Sequence, residues 1–236
     1  MSTKELILEE ALKQFSEKGF AGTSMRDIAR PLGITKAALY KHFESKQQIF
    51  DRIVAESEKK FQGFFEKLSV HFPKPGEEAV NTEDVDVYGN ISAEGLSERV
   101  LTFVRFSMRD PYSRQVRRML TLSQFQSRDL AEMYTKRYVE TMLEYDEKLF
   151  AKLMEAGAIG KGDAGALALM FYSPVVLYMG IWDREPDRAE ECEAAIRNHV
   201  EQFFQLTKAP RFFGAEQRSV SAGFSSEPSP QGRSRS

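Results

Sequence analysis

The chain has 236 residues, 42% hydrophobic and 29% charged, with 33 basic residues against 35 acidic ones. That composition supplies a sizeable core and excludes a wholly disordered chain. The near-balance of charge excludes a protein that is basic over its whole surface, so any contact with nucleic acid must be local. Cys192 is the single cysteine, which excludes an intrachain disulfide framework and paired-cysteine zinc spacing and fits a reducing cytoplasm.

In chain order, Ile7, Ala11 and Phe15 recur every four residues beside Leu8 and Leu12, and Gly19 follows as a stop. This predicts an amphipathic helix over 3–18. Charges among those first apolar positions are unlike the unbroken apolar run of a signal peptide. Ser24 and Asp27 form a capping-box pattern that opens a second helix near 24–31, with Met25, Ile28 and Leu32 inward. Gly33 closes it in a sharp turn, and Thr35 caps a third helix near 35–42. On that helix Leu39 and Phe43 lie one turn apart and face inward, which turns Ala37 and Lys41 outward with Tyr40 and His42 on the flanks. Pro31 stands where a helix former is expected, so the second helix should end early or distort. Arg26, Arg30, Lys36, Lys41 and Lys46 outnumber Asp27 and Glu44, a local basic excess suited to phosphate.

The order GF-x-x-TS-x-x-x-IA-x-x-x-GI-T-K-x-x-LY-x-x-F-x-SK, from Gly19 to Lys46, resembles the DNA-binding domain of tetracycline-repressor (TetR) family regulators, over nearly all of residues 3–50. The resemblance implies a helix-turn-helix whose Thr35, Lys36 and Ala37 enter the major groove. By the same resemblance Tyr40 and Lys41 lie against backbone or base edges, and His42 stands at the groove margin. Thr23, Ser24 and Lys46 would hold phosphates, the first two near a helix N-terminus. It implies as partners double-stranded DNA with a palindromic operator, a second copy of the chain in a homodimer, and an unidentified small-molecule effector.

Beyond residue 45 a long helix is expected over 46–68, carrying Ile49, Ile53, Phe61, Phe64, Phe65 and Leu68. Prolines, glycines and acidic residues then break the pattern, and a mobile loop is expected near 72–92. Helical segments resume near 92–109, 112–124, 127–156, 162–183 and 187–207, and a Ser-, Pro-, Gly- and Arg-rich tail over 211–236 is expected to be disordered. The fold class is therefore all-α. An N-terminal three-helix helix-turn-helix domain over 1–50 is joined by a long helix to a helical ligand-binding and dimerisation domain over 51–210.

Ala164 to Trp182 is the most apolar run, but Pro174 and two glycines interrupt it. It is expected to be a buried helix, with no membrane partner. The last two segments are expected to form the dimer surface, through Ala166, Leu167, Met170, Phe171, Val175, Leu177, Tyr178, Ile181 and Trp182 on one and Ala195, Ile196, His199, Val200 and Phe203 on the other. Candidates for a ligand pocket are Phe103, Phe106, Met119, Leu122, Phe125, Tyr134, Tyr138, Met142 and Tyr145, an apolar and aromatic stripe that also reads as plain core. Arg114, Arg117 and Arg118 read as a solvated helix face. The only histidines, His42, His71 and His199, belong to no metal or nucleophile motif, so no cofactor, metal, catalytic residue or enzyme activity is expected. The expected function is a cytoplasmic repressor released from its operator by the effector. The alternative is a scaffold or activator of the same fold.

Overall fold

The structure is a computed structural model in which residues 2–67 and 80–208 are described. The expected tail and the first part of the expected loop lie outside those residues. The described residues are built from helices and contain no strand, only one isolated bridge between Ile159 and Lys208. The expected all-α fold is what the chain adopts.

Helix α1 (Thr3–Lys18) opens on a capping box between Ser2 and Glu5 and buries Ile7, Leu8, Ala11, Leu12 and Phe15. Helices α2 (Met25–Ala29) and α3 (Lys36–Tyr40) follow, then the long α4 (Lys46–Lys67). Three aromatic rings lock the first and fourth helices to the turn between α1 and α2. Phe15, Phe20 and Phe50 have centroids 5.1 to 5.9 Å apart.

The remaining helices are α5 (Thr82–Asn90), α6 (Ala93–Arg109), α7 (Pro111–Ser123), α8 (Arg128–Thr135), α9 (Thr141–Glu155), α10 (Ala164–Arg184) and α11 (Ala189–Thr207). They make two cores. The first gathers α1 to α4 with Val116, Met119 and Leu120 of α7 and Leu130 of α8. The second is built from α6, α9, α10 and α11 with Val80. The N-terminal helices therefore do not close on themselves at residue 50, because α7 completes their core.

Three expectations about these elements need correction. The stretch expected as a mobile loop contains α5: Asn81 and Asp84 form a capping box, and Val85 and Tyr88 pack on the second core. Its acidic residues, read as loop-forming, include Glu83 and Asp84 in a first helical turn, where the helix dipole favours them. The single helix expected over 127–156 contains a π-helical turn at Lys136–Glu140, in which the Thr141 N–H reaches the Lys136 carbonyl five residues back. Helix α10 is long and apolar enough to cross a membrane by length and composition, and it is not a buried helix in this chain. One face (Ala168, Phe171, Tyr172, Val175, Met179, Trp182) is buried against the core, and the other leaves Leu169, Met170, Val176 and Leu177 exposed. Of the expected dimer surface, Phe171, Val175, Trp182, Ile196, Val200 and Phe203 are thus interior to one chain.

Candidate nucleic-acid interface and cavity

In the helix-turn-helix, each polar group near the turn has a local reason for its place. The Ser24 hydroxyl accepts from the Asp27 N–H, and the Asp27 carboxylate accepts from the Ser24 N–H at 2.9 Å and from its hydroxyl. These bonds hold the Asp27 carboxyl below the usual carboxylate range. Helix α2 stops at Ala29, two residues before Pro31, whose missing N–H removes the bond that would continue it, although Arg30 itself keeps helical backbone angles (φ -60°, ψ -48°). Gly33 takes φ +65°, a left-handed conformation that opens the turn. Ile34 packs against the first core, and Thr35 caps α3 by accepting from the Ala38 N–H at 3.0 Å.

Leu39 and Phe43 anchor α3 inward. That single constraint turns Thr35, Lys36, Ala37, Tyr40 and Lys41 outward, all exposed, with Tyr40 at 43%. Lys36 Nζ lies 5.6 Å from the Tyr40 ring centroid, so the two form one cation-bearing aromatic edge. His42 is half-buried at the end of the helix. Ser24 is exposed at the start of α2.

Two of the residues assigned to phosphate are differently placed. Thr23 is 1% exposed, and its hydroxyl donates to the Gly19 carbonyl at 3.0 Å and is 3.3 Å from that of Gln14. Its side chain therefore faces the core and fixes the α1–α2 turn. Lys46 Nζ donates to the carbonyls of Phe20 at 2.5 Å and Thr23 at 2.7 Å and stands 4.2 Å from the Phe20 ring centroid. Partial burial pushes its amine below the usual lysine range. Its charge serves the α1–α2 turn.

A cavity of about 380 Å³ opens between α5, α6, α9, α10 and α11. Of the nine pocket candidates, Phe103, Met142 and Tyr145 line it. The other six do not. Phe106 stacks on Phe64 at 4.0 Å, Met119 fills the first core, and Tyr134 and Tyr138 pack against that core. Leu122 is exposed and Phe125 is 91% exposed at the end of α7. Met119 fell outside because α7 faces the N-terminal domain, so its buried apolar residues complete the first core. The lining missed by sequence includes Tyr88, Asp146, Leu149, Phe150 and Tyr172. Asp146 was legible in one respect, since it shares a helical stripe with Met142, Leu149, Phe150 and Leu153.

A family model described as "Bacterial regulatory proteins, tetR family" matches residues 7–53. The N-terminal domain belongs to the tetR family. A curated relative, the biofilm operon icaADBC HTH-type negative transcriptional regulator IcaR of Staphylococcus aureus (strain Newman), is 47% identical over 51 residues. The match spans 22% of this chain and 27% of that protein, so the likeness is confined to the DNA-binding end. IcaR of Staphylococcus epidermidis is 41% identical over the same length, 22% of this chain and 28% of its own. Among solved structures, the SmeT–triclosan complex matches with TM-score 0.65 at 20% identity, over 98% of this chain and all of that one. SmeT is the repressor of the Stenotrophomonas maltophilia multidrug efflux pump SmeDEF. NalD, the secondary repressor of the MexAB-OprM efflux pump in Pseudomonas aeruginosa, matches with TM-score 0.60 at 20% identity over 87% of this chain and 95% of that one. These last likenesses show the fold.

The tetR-family domain is tied to the cavity-bearing part mainly through α7. Tyr112 donates to the Ile53 carbonyl at 3.2 Å, Ser123 accepts from the Phe20 N–H at 3.1 Å, and Gln126 accepts from the Ala21 N–H at 2.7 Å. Burial helps push the Tyr112 hydroxyl up to about 12. On its other side α7 carries Arg117, buried and ion-paired with Asp183 of α10. The arginine expected on a solvated face is thus an internal strut, and Asp110 caps α7 immediately where α6 ends.

Proposed function

We propose that this chain is a transcriptional repressor, acting by binding and not by catalysis, that works in the cytoplasm as a homodimer on a palindromic operator. The observation that carries the reading is the outward face of α3. Lys36, Ala37, Tyr40 and Lys41 are presented together on a helix held by Leu39 and Phe43. A helix so exposed, small at its centre and basic at its edges, suits a major groove. Thr35 and Ser24 stand at the two helix starts, where backbone N–H groups favour phosphate. His42 lies at the margin.

The exposed apolar strip on α10 supports the dimer. Leu177 is 58% exposed beside Met170 and Val176, and a patch of this kind on a regulator needs a covering partner. Two-fold symmetry would then place the two copies of α3 about 34–36 Å apart, or a multiple of it, which is the reason for an inverted-repeat operator. A molecule in the cavity would bear on α6, α9 and α10, and α7, joined to α10 through Arg117, would carry the displacement to α4 through Tyr112 and to the α1–α2 turn through Ser123. A ligand that prefers one spacing of the recognition helices shifts DNA affinity by its differential binding.

Gel shift with the DNA flanking the chain's own gene tests the first part. Retardation that is lost in Lys36→Ala and Tyr40→Ala is expected. A folded dimer that shifts no genomic fragment at low salt would overturn the reading. Leu177→Glu should give a monomer in sedimentation velocity with a matching loss of operator affinity.

A further inference from the structure

The cavity wall is aromatic and aliphatic except at one point. Phe65, Phe103, Phe150, Phe171 and Phe203 supply rings on several sides, and Asp146 projects a carboxyl among them from α9. Asp146 is 6% exposed, and among the described residues no hydrogen bond or ion pair reaches it. An unpaired carboxyl in such surroundings costs several kcal/mol as an anion, on the order of what drives a proton back onto it. Burial alone pushes it up to about 8.

The neighbours do not relieve it. Tyr172 of α10, which also lines the cavity, donates its hydroxyl to the Tyr138 carbonyl at 2.8 Å. The Tyr145 hydroxyl is buried beside that of Tyr88 and makes no hydrogen bond of good geometry. Other charged groups on the lining are engaged elsewhere. Glu98 is paired with Arg105 and Arg197, Arg99 lies 5.6 Å from the Tyr88 ring centroid, and Lys208 lies 4.9 Å from that of Phe204. Asp84, against Tyr88 and Tyr145, is bound into the α5 capping box.

We infer that the cavity takes a lipophilic organic cation, an aromatic amine or quaternary ammonium compound, with Asp146 as its counter-ion and the surrounding rings as its apolar and cation–π contacts. The reading rests on the proposed effector pocket and specifies its ligand. A protonated amine supplies the donor that Asp146 lacks, and phenylalanine rings favour a cation over an anion. A neutral aromatic compound would fill the same volume and leave the carboxyl as unpaired as before.

Fluorescence titration of the full chain with three matched probes, without DNA, tests this: pyrenylmethylamine, pyrenylmethanol and pyrenecarboxylate. The amine is expected to bind at least about ten-fold more tightly than the alcohol, and the carboxylate more weakly than either. Asp146→Asn should keep the alcohol affinity and abolish the preference for the amine. Asp146→Glu should keep the preference, which guards against a variant that merely misfolds. Equal binding of amine and alcohol by the wild type, or an amine preference that survives in Asp146→Asn, overturns the inference. Because no DNA is present, failure of operator binding leaves this result intact. Conversely, amine binding that does not release operator DNA would break the repressor reading and not the ligand assignment.

Discussion

The two cores of this molecule treat polar groups in opposite ways. Around the helix-turn-helix, Thr23, Ser24, Asp27 and Lys46 each find protein partners within hydrogen-bond distance, and the apolar interior of Phe15, Phe50, Ile28 and Ile49 is closed. Around the cavity, Asp146 is buried and left without such partners, and the buried Tyr145 hydroxyl makes no hydrogen bond of good geometry, beside an open volume. A surface that must present one fixed shape to DNA is best built from satisfied groups. A site that must respond to a ligand keeps some of its interactions unmade.

That contrast can be broken by measurement. The largest effect is expected from Phe15→Ala. Phe15 is fully buried in the closed core, and its truncation should cost about 3–5 kcal/mol in thermal or urea unfolding. The matching change at Phe103, half-buried on the cavity wall, should cost only about 1–2 kcal/mol, because part of its ring already lacks packed neighbours. Equal losses would mean that the second core is as tightly filled as the first.

Next is the pH dependence introduced by Asp146. Its carboxyl stands near 3.8 when unfolded and is pushed up to about 8 in the fold. The folded state therefore holds a proton that the unfolded state has released between those values, and stability falls as pH rises through that window, then levels above it. Asp146→Asn lacks this slope. Its advantage over wild type should be small at pH 4 and grow by up to roughly 1.4 kcal/mol per pH unit towards pH 8, read as a widening gap in Tm. An advantage that does not change with pH would show that Asp146 is solvated or paired.

Smaller effects are expected where polar groups are satisfied. Lys46→Met should destabilise by about 2 kcal/mol, since it strips a charged donor from two carbonyls. The salt dependence of DNA binding should hardly change; a slope lowered by about one unit would instead make Lys46 a phosphate contact. Thr23→Val, the mildest, should cost about 1 kcal/mol in unfolding and leave DNA affinity unaltered in gel shift.

How much of this was legible depended on whether a residue's role is set locally. Ser24–Asp27, Gly33, Thr35 and the Leu39–Phe43 pair fix the recognition helix through contacts a few residues apart, so spacing alone predicts their geometry. The intrachain partners of Thr23 and Lys46 were not legible, because an exposed-looking polar residue at a helix start reads as a ligand contact, whereas these two reach carbonyls 4 to 26 positions away. The cavity was the least legible. Met119 and Phe103 carry the same apolar signal, and only the packing of α7 on α1 assigns one to a core and the other to a pocket. Helix α5 was hidden by Gly89 and a run of acids that suit a first turn as well as a loop.

The π-helical turn at Lys136–Glu140 makes the chemistry of the pocket a matter of counting. The turn holds one residue more than an α-helix would, and everything C-terminal to it is rotated by about 100° as a result. Remove one residue there and Met142, Tyr145 and Asp146 leave the cavity together while their neighbours take the places they held. A single-codon deletion, such as loss of Val139, should therefore erase the amine preference with helix content by circular dichroism unchanged. On the proposed reading, ligand choice in this scaffold changes by insertion or deletion at a site that lies outside the cavity wall.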